Sequence, residues 1–302
     1  MKTIPLGKSG LRVPAVAVGC MRMNRLSPGE AERFVQSALD LGLNFFDHAD
    51  IYGGGACERI FGQAYQGPRE DILLQSKCGI RRGQYDFSKE HILASVDGSL
   101  SRLCTDYLDV LLLHRPDALA EPGEVAEAFD ILRSNGKVRH FGVSNHNPMQ
   151  MQLLQKYLKQ PLVANQLQFG LGHASMVNQG THVNMLGDDS PARDGGVLDF
   201  CRLNGITVQP WSPFQHGFFR GPIFGSGQHA ALNAKLEELA EKYSADSTAV
   251  ALAWILRHPA RMQPVVGTMN PERLASCAKA MDIELTREDW YALYLAAGNT
   301  LP

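Results

Sequence analysis

The chain has 302 residues, 44% of them apolar and 20% charged, and its 29 glycines and 16 prolines stay below the share found in low-complexity chains. This is a globular chain with enough apolar material for a sizeable core, and its length allows one or two domains. Lysine plus arginine number 29 against 31 aspartate plus glutamate, and a net charge of −2 excludes a global field that would draw the chain to nucleic acid or an anionic membrane.

In chain order, Thr3-Ile-Pro-Leu6 and Leu11-Arg-Val13 flank the turn Gly7-Lys-Ser-Gly10 and read as a hairpin. Eight short apolar runs follow as core strands, at residues 15–19, 44–46, 72–76, 108–113, 140–143, 162–164, 207–209 and 264–266. Helical patterns fill the gaps between them. Ser27-Pro-Gly-Glu30 is a capping box with proline at the first helical position, and Leu41-Gly42 closes that helix. Residues 58–65, 88–103, 125–135, 148–158, 197–204 and 272–279 give the other helices. Segments 168–195 and 212–228 are rich in glycine, asparagine and serine, too long for ordinary connections, and expected to be functional loops.

Six scattered cysteines (Cys20, Cys57, Cys78, Cys104, Cys201, Cys277) form no CxxC pair and no zinc-like spacing. Reduced thiols in a cytoplasmic protein without a metal are expected. The longest apolar run, residues 250–256, is far short of the roughly 18 residues of a membrane helix. Pro14 and Gly19 interrupt the run at 13–19, which reads as a strand rather than a leader.

An open doubly wound sheet would use the same alternation. The first strand–helix turn, Val16-Ala-Val-Gly-Cys-Met-Arg-Met-Asn24, lacks G-x-G-x-x-G, and Gly53-Gly-Gly55 is followed by no Gly-Lys-Ser/Thr and reads as a flexible turn. Eight βα units in one chain predict an α/β protein. The expected form is a single (β/α)8 barrel over residues 1–302, with an N-terminal hairpin and extended loops on its C-terminal face.

In such barrels the chemistry gathers at the C-terminal strand ends. Those ends carry Asp47, Lys77, His114, Ser144-Asn145, Asn165-Gln166 and Trp211, with Tyr52 in the loop after Asp47. Singly, each has an ordinary reading as a turn, cap or surface residue. Jointly they suit proton donation to a carbonyl oxygen. A free tyrosine titrates near 10, too high for an ideal acid, and a neighbouring Lys77 ammonium is expected to lower that value. Asp47 would hold the lysine, while His114 donates to the substrate oxygen. A hydride source is still required. Trp211 offers a face for a nicotinamide ring, and Ser144, Asn145 and Gln166 can hold its carboxamide.

Asp47-His-Ala-Asp-Ile-Tyr52, Ser76-Lys77-Cys, Leu113-His114-Arg-Pro-Asp117 and Gly142-Val-Ser-Asn145 resemble the motifs of the aldo-keto reductase family across nearly the whole chain. The wording at 47–54, 77–80 and 136–145 is most similar to the YdhF-like bacterial oxidoreductases. The resemblance implies a TIM barrel, the tetrad Asp47, Tyr52, Lys77 and His114, and NADP(H) bound without a Rossmann domain. It also implies that Ser212 and Phe214 line the pyrophosphate and that Gly267, Thr268 and Arg273 meet the adenosine end. Arg273 would hold the 2′-phosphate, since its fork of donors suits phosphate. The chain departs from the family just beyond: Ser276-Cys277 stand where Glu-Asn is usual.

His48, Cys78, His140 and His146 are assigned to structure, Trp254 to the core, and Met21, Met23, Arg81, Arg115 and the 168–195 loop to the substrate wall. The leading expectation is an NADPH-dependent reduction of an aldehyde or ketone, with a small-molecule substrate and neither nucleic acid nor membrane as partner. Two alternatives remain at this point: a cofactor-binding regulatory subunit without catalysis, and a Schiff-base lyase using Lys77.

Overall fold

A computed structural model describes residues 2–188, 190–218 and 220–302. The chain opens with an antiparallel hairpin, β1 (Thr3–Pro5) and β2 (Arg12–Pro14), in which Ile4 faces Val13. Its turn seats against the entry ends of two later strands: Gly7 N–H donates to Thr207 Oγ1 at 2.7 Å. A Cβ on Gly7 would stand 2.3 Å from the Val163 carbonyl, so only glycine permits this approach. The hairpin thereby covers the N-terminal mouth of the barrel.

Eight parallel strands close the barrel: β3 (Ala17–Gly19), β4 (Phe45–Asp47), β5 (Leu73–Cys78), β8 (Leu108–Leu113), β9 (Val138–Ser144), β10 (Leu162–Gln168), β11 (Thr207–Trp211) and β12 (Val265–Val266). They neighbour one another in chain order, and β12 pairs back onto β3. Between β5 and β8 a small rim hairpin, β6 (Ile80–Arg81) with β7 (Gln84–Tyr85), stands on the C-terminal side.

The outer ring is α1 (Pro28–Asp40), α2 (Ala56–Ala64), α3 (Lys89–Leu103), α4 (Pro122–Ser134), α5 (Pro148–Tyr157), α6 (Ser175–Thr181), α7 (Val197–Asn204), α8 (Ala230–Lys242), α9 (Ser247–Leu256), α10 (Pro271–Lys279) and α11 (Arg287–Ala296). Local chemistry sets their starts. Proline opens α1, α4, α5 and α10, where its missing N–H costs no hydrogen bond. At the expected box before α1, the Glu30 carboxylate accepts from the Ser27 N–H and hydroxyl at 2.8 and 2.6 Å.

All eight expected strands are present. Five reach further at their C-terminal ends than expected, so that Asp47, Lys77, Ser144, Asn165, Gln166 and Trp211 lie within strands and not just after them. The 168–195 segment is not all loop, since it contains α6. Helices α8 and α11 and the rim hairpin were not anticipated. Trp254 is fully buried as expected, stacked on Trp290 with centroids 4.8 Å apart, and each indole N–H donates to the other's carbonyl.

Candidate active site

Asp47 ends β4 and Lys77 lies near the end of β5, the neighbouring strand. The backbone pairing continues past β4, with His48 N–H on the Gln75 carbonyl and Asp50 N–H on the Lys77 carbonyl. The chain then folds back through Tyr52–Gly55, where Gly53, Gly54 and Gly55 hold φ of 58°, 63° and 85°. Three successive left-handed residues are open only to glycine without strain, and here they set Tyr52 over the barrel mouth. The triplet expected to be merely flexible is therefore a shaped turn.

Lys77 Nζ lies 2.8 and 2.7 Å from Asp47 Oδ1 and Oδ2, 2.8 Å from the His48 carbonyl and 3.3 Å from Tyr52 Oη. Burial opposes the lysine charge, but Asp47 and Tyr52 outweigh it and hold the ammonium above its ordinary value. Tyr52 departs from expectation. Burial pushes its phenol up more than Lys77 pulls it down, and Asp47 adds to the rise. His114, at the end of β8, meets the Tyr52 ring edge-on at 5.9 Å. Burial, then Lys77 and Arg115, keep its imidazole neutral by holding it well below its usual value, and its Nδ1 is buried without a partner.

Above these groups opens a cavity of about 1430 Å³. Asp47, Tyr52, His114, Ser144, Asn145, Gln166 and Trp211 line its inner part, with Lys77 beneath them. Ser212, Phe214, Gly267, Thr268 and Arg273 continue the same wall. Every residue singled out in the sequence for catalysis or cofactor contact thus gathers around one space.

Several of these side chains are already engaged. Asn145, at φ 60°, donates from Nδ2 to Ser144 Oγ (2.8 Å) and the His114 carbonyl (3.3 Å), and its Oδ1 accepts from Trp211 Nε1 at 3.1 Å. Both N–H groups of Gln166 are likewise used, chiefly on Asp47 Oδ1 at 3.0 Å. Toward a ligand these amides offer oxygens, not donors. Arg22 donates to the Gly267 carbonyl at 2.8 Å and so fixes the start of the outer wall.

The substrate-wall expectations divide. Met21 and Arg115 line the cavity, but Met23 is fully buried in the core, and neither Arg81 nor any described residue of 168–195 reaches it. Ile51, Ile80 and Tyr85 stand there instead, the last two on the rim hairpin. The second glycine-rich segment does serve the cavity, through Phe218, Pro222 and Phe224 as well as Ser212 and Phe214. Asp246 was also missed. It caps α9, accepting from Ala249 N–H, and receives Ser276 Oγ at 2.6 Å, so a carboxylate reaches the place where the usual Glu-Asn is absent. An aspartate just before an apolar helical run was its available signal.

His48 packs edge-on against Phe61, with both ring nitrogens unpartnered and its pKa lowered to about 3 by burial and then Lys77, as suits a structural residue. Behind β5, fully buried Glu58 accepts from Ser76 Oγ at 2.6 Å and pairs with Arg102 at 2.7 Å.

Residues 15–294 match the Aldo/keto reductase family. The chain belongs to this family. It is 37% identical to the oxidoreductase YdhF of Escherichia coli, over 90% of this chain and 89% of the relative. It is 35% identical to the 6-dehydroglucose reductase of Agrobacterium fabrum over the same shares. Among solved structures, the thermostable aldo-keto reductase Tm1743, in complex with the inhibitor epalrestat, superposes with a TM-score of 0.80 at 26% identity, covering 98% of this chain and 100% of that one. This aldo-keto reductase is an oxidoreductase that acts on a small-molecule carbonyl with a nicotinamide cofactor. Among the described residues no helix is long and apolar enough to cross a membrane, and no group of three or more His, Cys, Asp or Glu gathers as a metal site.

Proposed function

We propose that this reductase converts an aldehyde or ketone to its alcohol with NADPH, Tyr52 giving the proton to the carbonyl oxygen. The observation that carries this is the Tyr52 hydroxyl, 3.3 Å from a buried lysine ammonium and facing a cavity that also holds His114. As negative charge builds on the carbonyl oxygen, Tyr52 releases its proton and Lys77 stabilises the phenolate left behind. Asp47 holds Lys77 in place and charged. Neutral His114 orients the carbonyl by donating a hydrogen bond.

The cavity's residues fit a nicotinamide dinucleotide. When bound, the cofactor supplies the hydride. Gln166 Oε1 and the remaining lone pair of Asn145 Oδ1 would accept from the carboxamide amino group, Ser144 would keep the Asn145 amide in place, and Trp211 would give the ring a face. Ser212 and Phe214 border the pyrophosphate, and Gly267 and Thr268 the adenosine half. Arg273 has no ion-pair partner among the described residues, which favours a role in binding the 2′-phosphate.

The lyase alternative loses ground at Lys77. A Schiff-base lysine needs a depressed pKa, whereas this ammonium is held charged by Asp47. The test is NADPH consumption with a panel of aldehydes and ketones. Turnover that disappears in Tyr52→Phe supports the reading, and tight NADPH binding without turnover on any carbonyl would turn it toward the regulatory role.

A further inference from the structure

Inside the barrel a chain of four glutamines ends on Asp47. Gln263 Nε2 donates to the Pro14 carbonyl at 2.8 Å, and Gln263 Oε1 accepts from Gln209 Nε2 at 2.8 Å. Gln209 Oε1 accepts from Gln75 Nε2 at 2.9 Å and Gln166 Nε2 at 3.4 Å. The same two nitrogens donate to Asp47 Oδ1, at 2.6 and 3.0 Å. None of the four glutamines is more than 3% exposed. Barrel interiors of this type are filled mainly by branched apolar side chains, and a buried amide is costly unless bonded.

The chain has one possible polarity. The Pro14 carbonyl can only accept, so Gln263 must turn its nitrogen to Pro14 and its oxygen to Gln209. Gln209 must then present its nitrogen to Gln263 and its oxygen to Gln75 and Gln166. These two are left with N–H groups for Asp47, which as a carboxylate can only accept. Both ends impose the same orientation on every amide, independent of any choice between the two amide flips.

We infer that Gln75, Gln209 and Gln263 are positioning residues for the reduction, fixing Asp47 and spreading its charge so that Lys77 remains shared with Tyr52. Neither Gln75 nor Gln209 lines the cavity, so they act through Asp47 and not on a ligand. The inference rests on the proposed role of Tyr52. Asp47 raises the Tyr52 phenol and Lys77 lowers it. Two N–H donors on Oδ1 weaken the first influence relative to the second. With a donor removed, the phenol becomes a weaker acid. Reduction needs protonated Tyr52, so the rate falls as pH rises through its pKa, and a raised pKa moves this alkaline limb upward.

The experiment compares wild type, Gln75→Met and Gln209→Met in the pH dependence of kcat, with NADPH affinity and thermal melting measured alongside. Gln75→Met is expected to lower kcat about tenfold and move the alkaline limb up by about half to one pH unit, with unchanged NADPH affinity. Gln209→Met, one bond further away, should show the same change at smaller size. An unmoved limb in both folded variants overturns the inference, as does a loss accounted for by weaker NADPH binding. If Gln75→Met fails to fold, Gln209→Met carries the measurement together with Gln209→Met/Gln263→Met, which removes both partners of one bond. Tyr52→Phe separates the two readings. Its full activity would refute the acid itself, whereas its loss beside an unmoved limb in the glutamine variants refutes only the chain.

Discussion

Lys77 Nζ stands 3.3 Å from the Tyr52 hydroxyl while both oxygens of Asp47 hold the same ammonium within 2.8 Å. One cation thus serves a permanent anion and a transient one. Tyr52→Phe removes the transient anion and leaves the permanent pair intact. Turnover should fall at least about 10²-fold, the usual worth of a positioned acid. NADPH binding, followed by fluorescence, should be retained, and full activity would reject the assignment.

Lys77→Met is expected to be more damaging to the fold. Lys77 and Asp47 are 0% and 3% exposed at their side chains, so the substitution strands a buried carboxylate. Removing one partner of such a pair costs about 3–5 kcal/mol. Urea unfolding checks this. Asp47→Asn/Lys77→Met should recover part of the stability and none of the activity.

Arg273→Ala probes the cofactor. If its guanidinium meets a 2′-phosphate, affinity for NADPH should drop by about ten- to a hundredfold, as for a lost charge-assisted contact, while NADH is little affected. Titration calorimetry with both cofactors decides it, and equal weakening of the two contradicts the role.

Asp50 gives a pH-dependent prediction. Its carboxyl is pushed from the ordinary 3.8 to about 6, first by burial and then by Glu58, with Arg102 pulling the other way. Between those values the folded chain binds a proton that the unfolded chain has released. Its stabilising contribution is full below about 3.8 and lost as pH rises through about 6. Asp50→Asn should therefore raise stability near neutrality by about 1–3 kcal/mol and make little difference near pH 4. A melting series across that range tests the sign.

The barrel and the gathering of Asp47, Tyr52, Lys77 and His114 around one space were legible because Asp47, Lys77 and His114 each stand at or just past the end of an apolar run, with Tyr52 in the loop after the first. Gln75, Gln209 and Gln263 were not. They lie in or beside core strands, where a polar residue looks like an interruption, and only closure of the barrel reveals that they bond to one another. The Tyr52 pKa was misjudged for a related reason: Lys77 is visible as a neighbour, but the depth of burial that outweighs it is a property of the packed whole. Helices α8 and α11 carried readable signals, the spacing of Leu232, Leu236 and Leu239 in one and the Thr286–Asp289 capping box in the other.

The barrel's closing strand is only Val265–Val266, and it meets β11 at a single register pair, Trp211 with Val265. The cavity includes both of those residues, so whatever fills it touches the two sides of the weakest join. A bound dinucleotide would therefore act as a clasp as well as a reagent, adding its binding free energy to closure in proportion to the logarithm of its concentration. In limited proteolysis or amide exchange, protection by the cofactor should concentrate at this join. The enzyme's resistance to local opening would then track the cofactor supply of its surroundings.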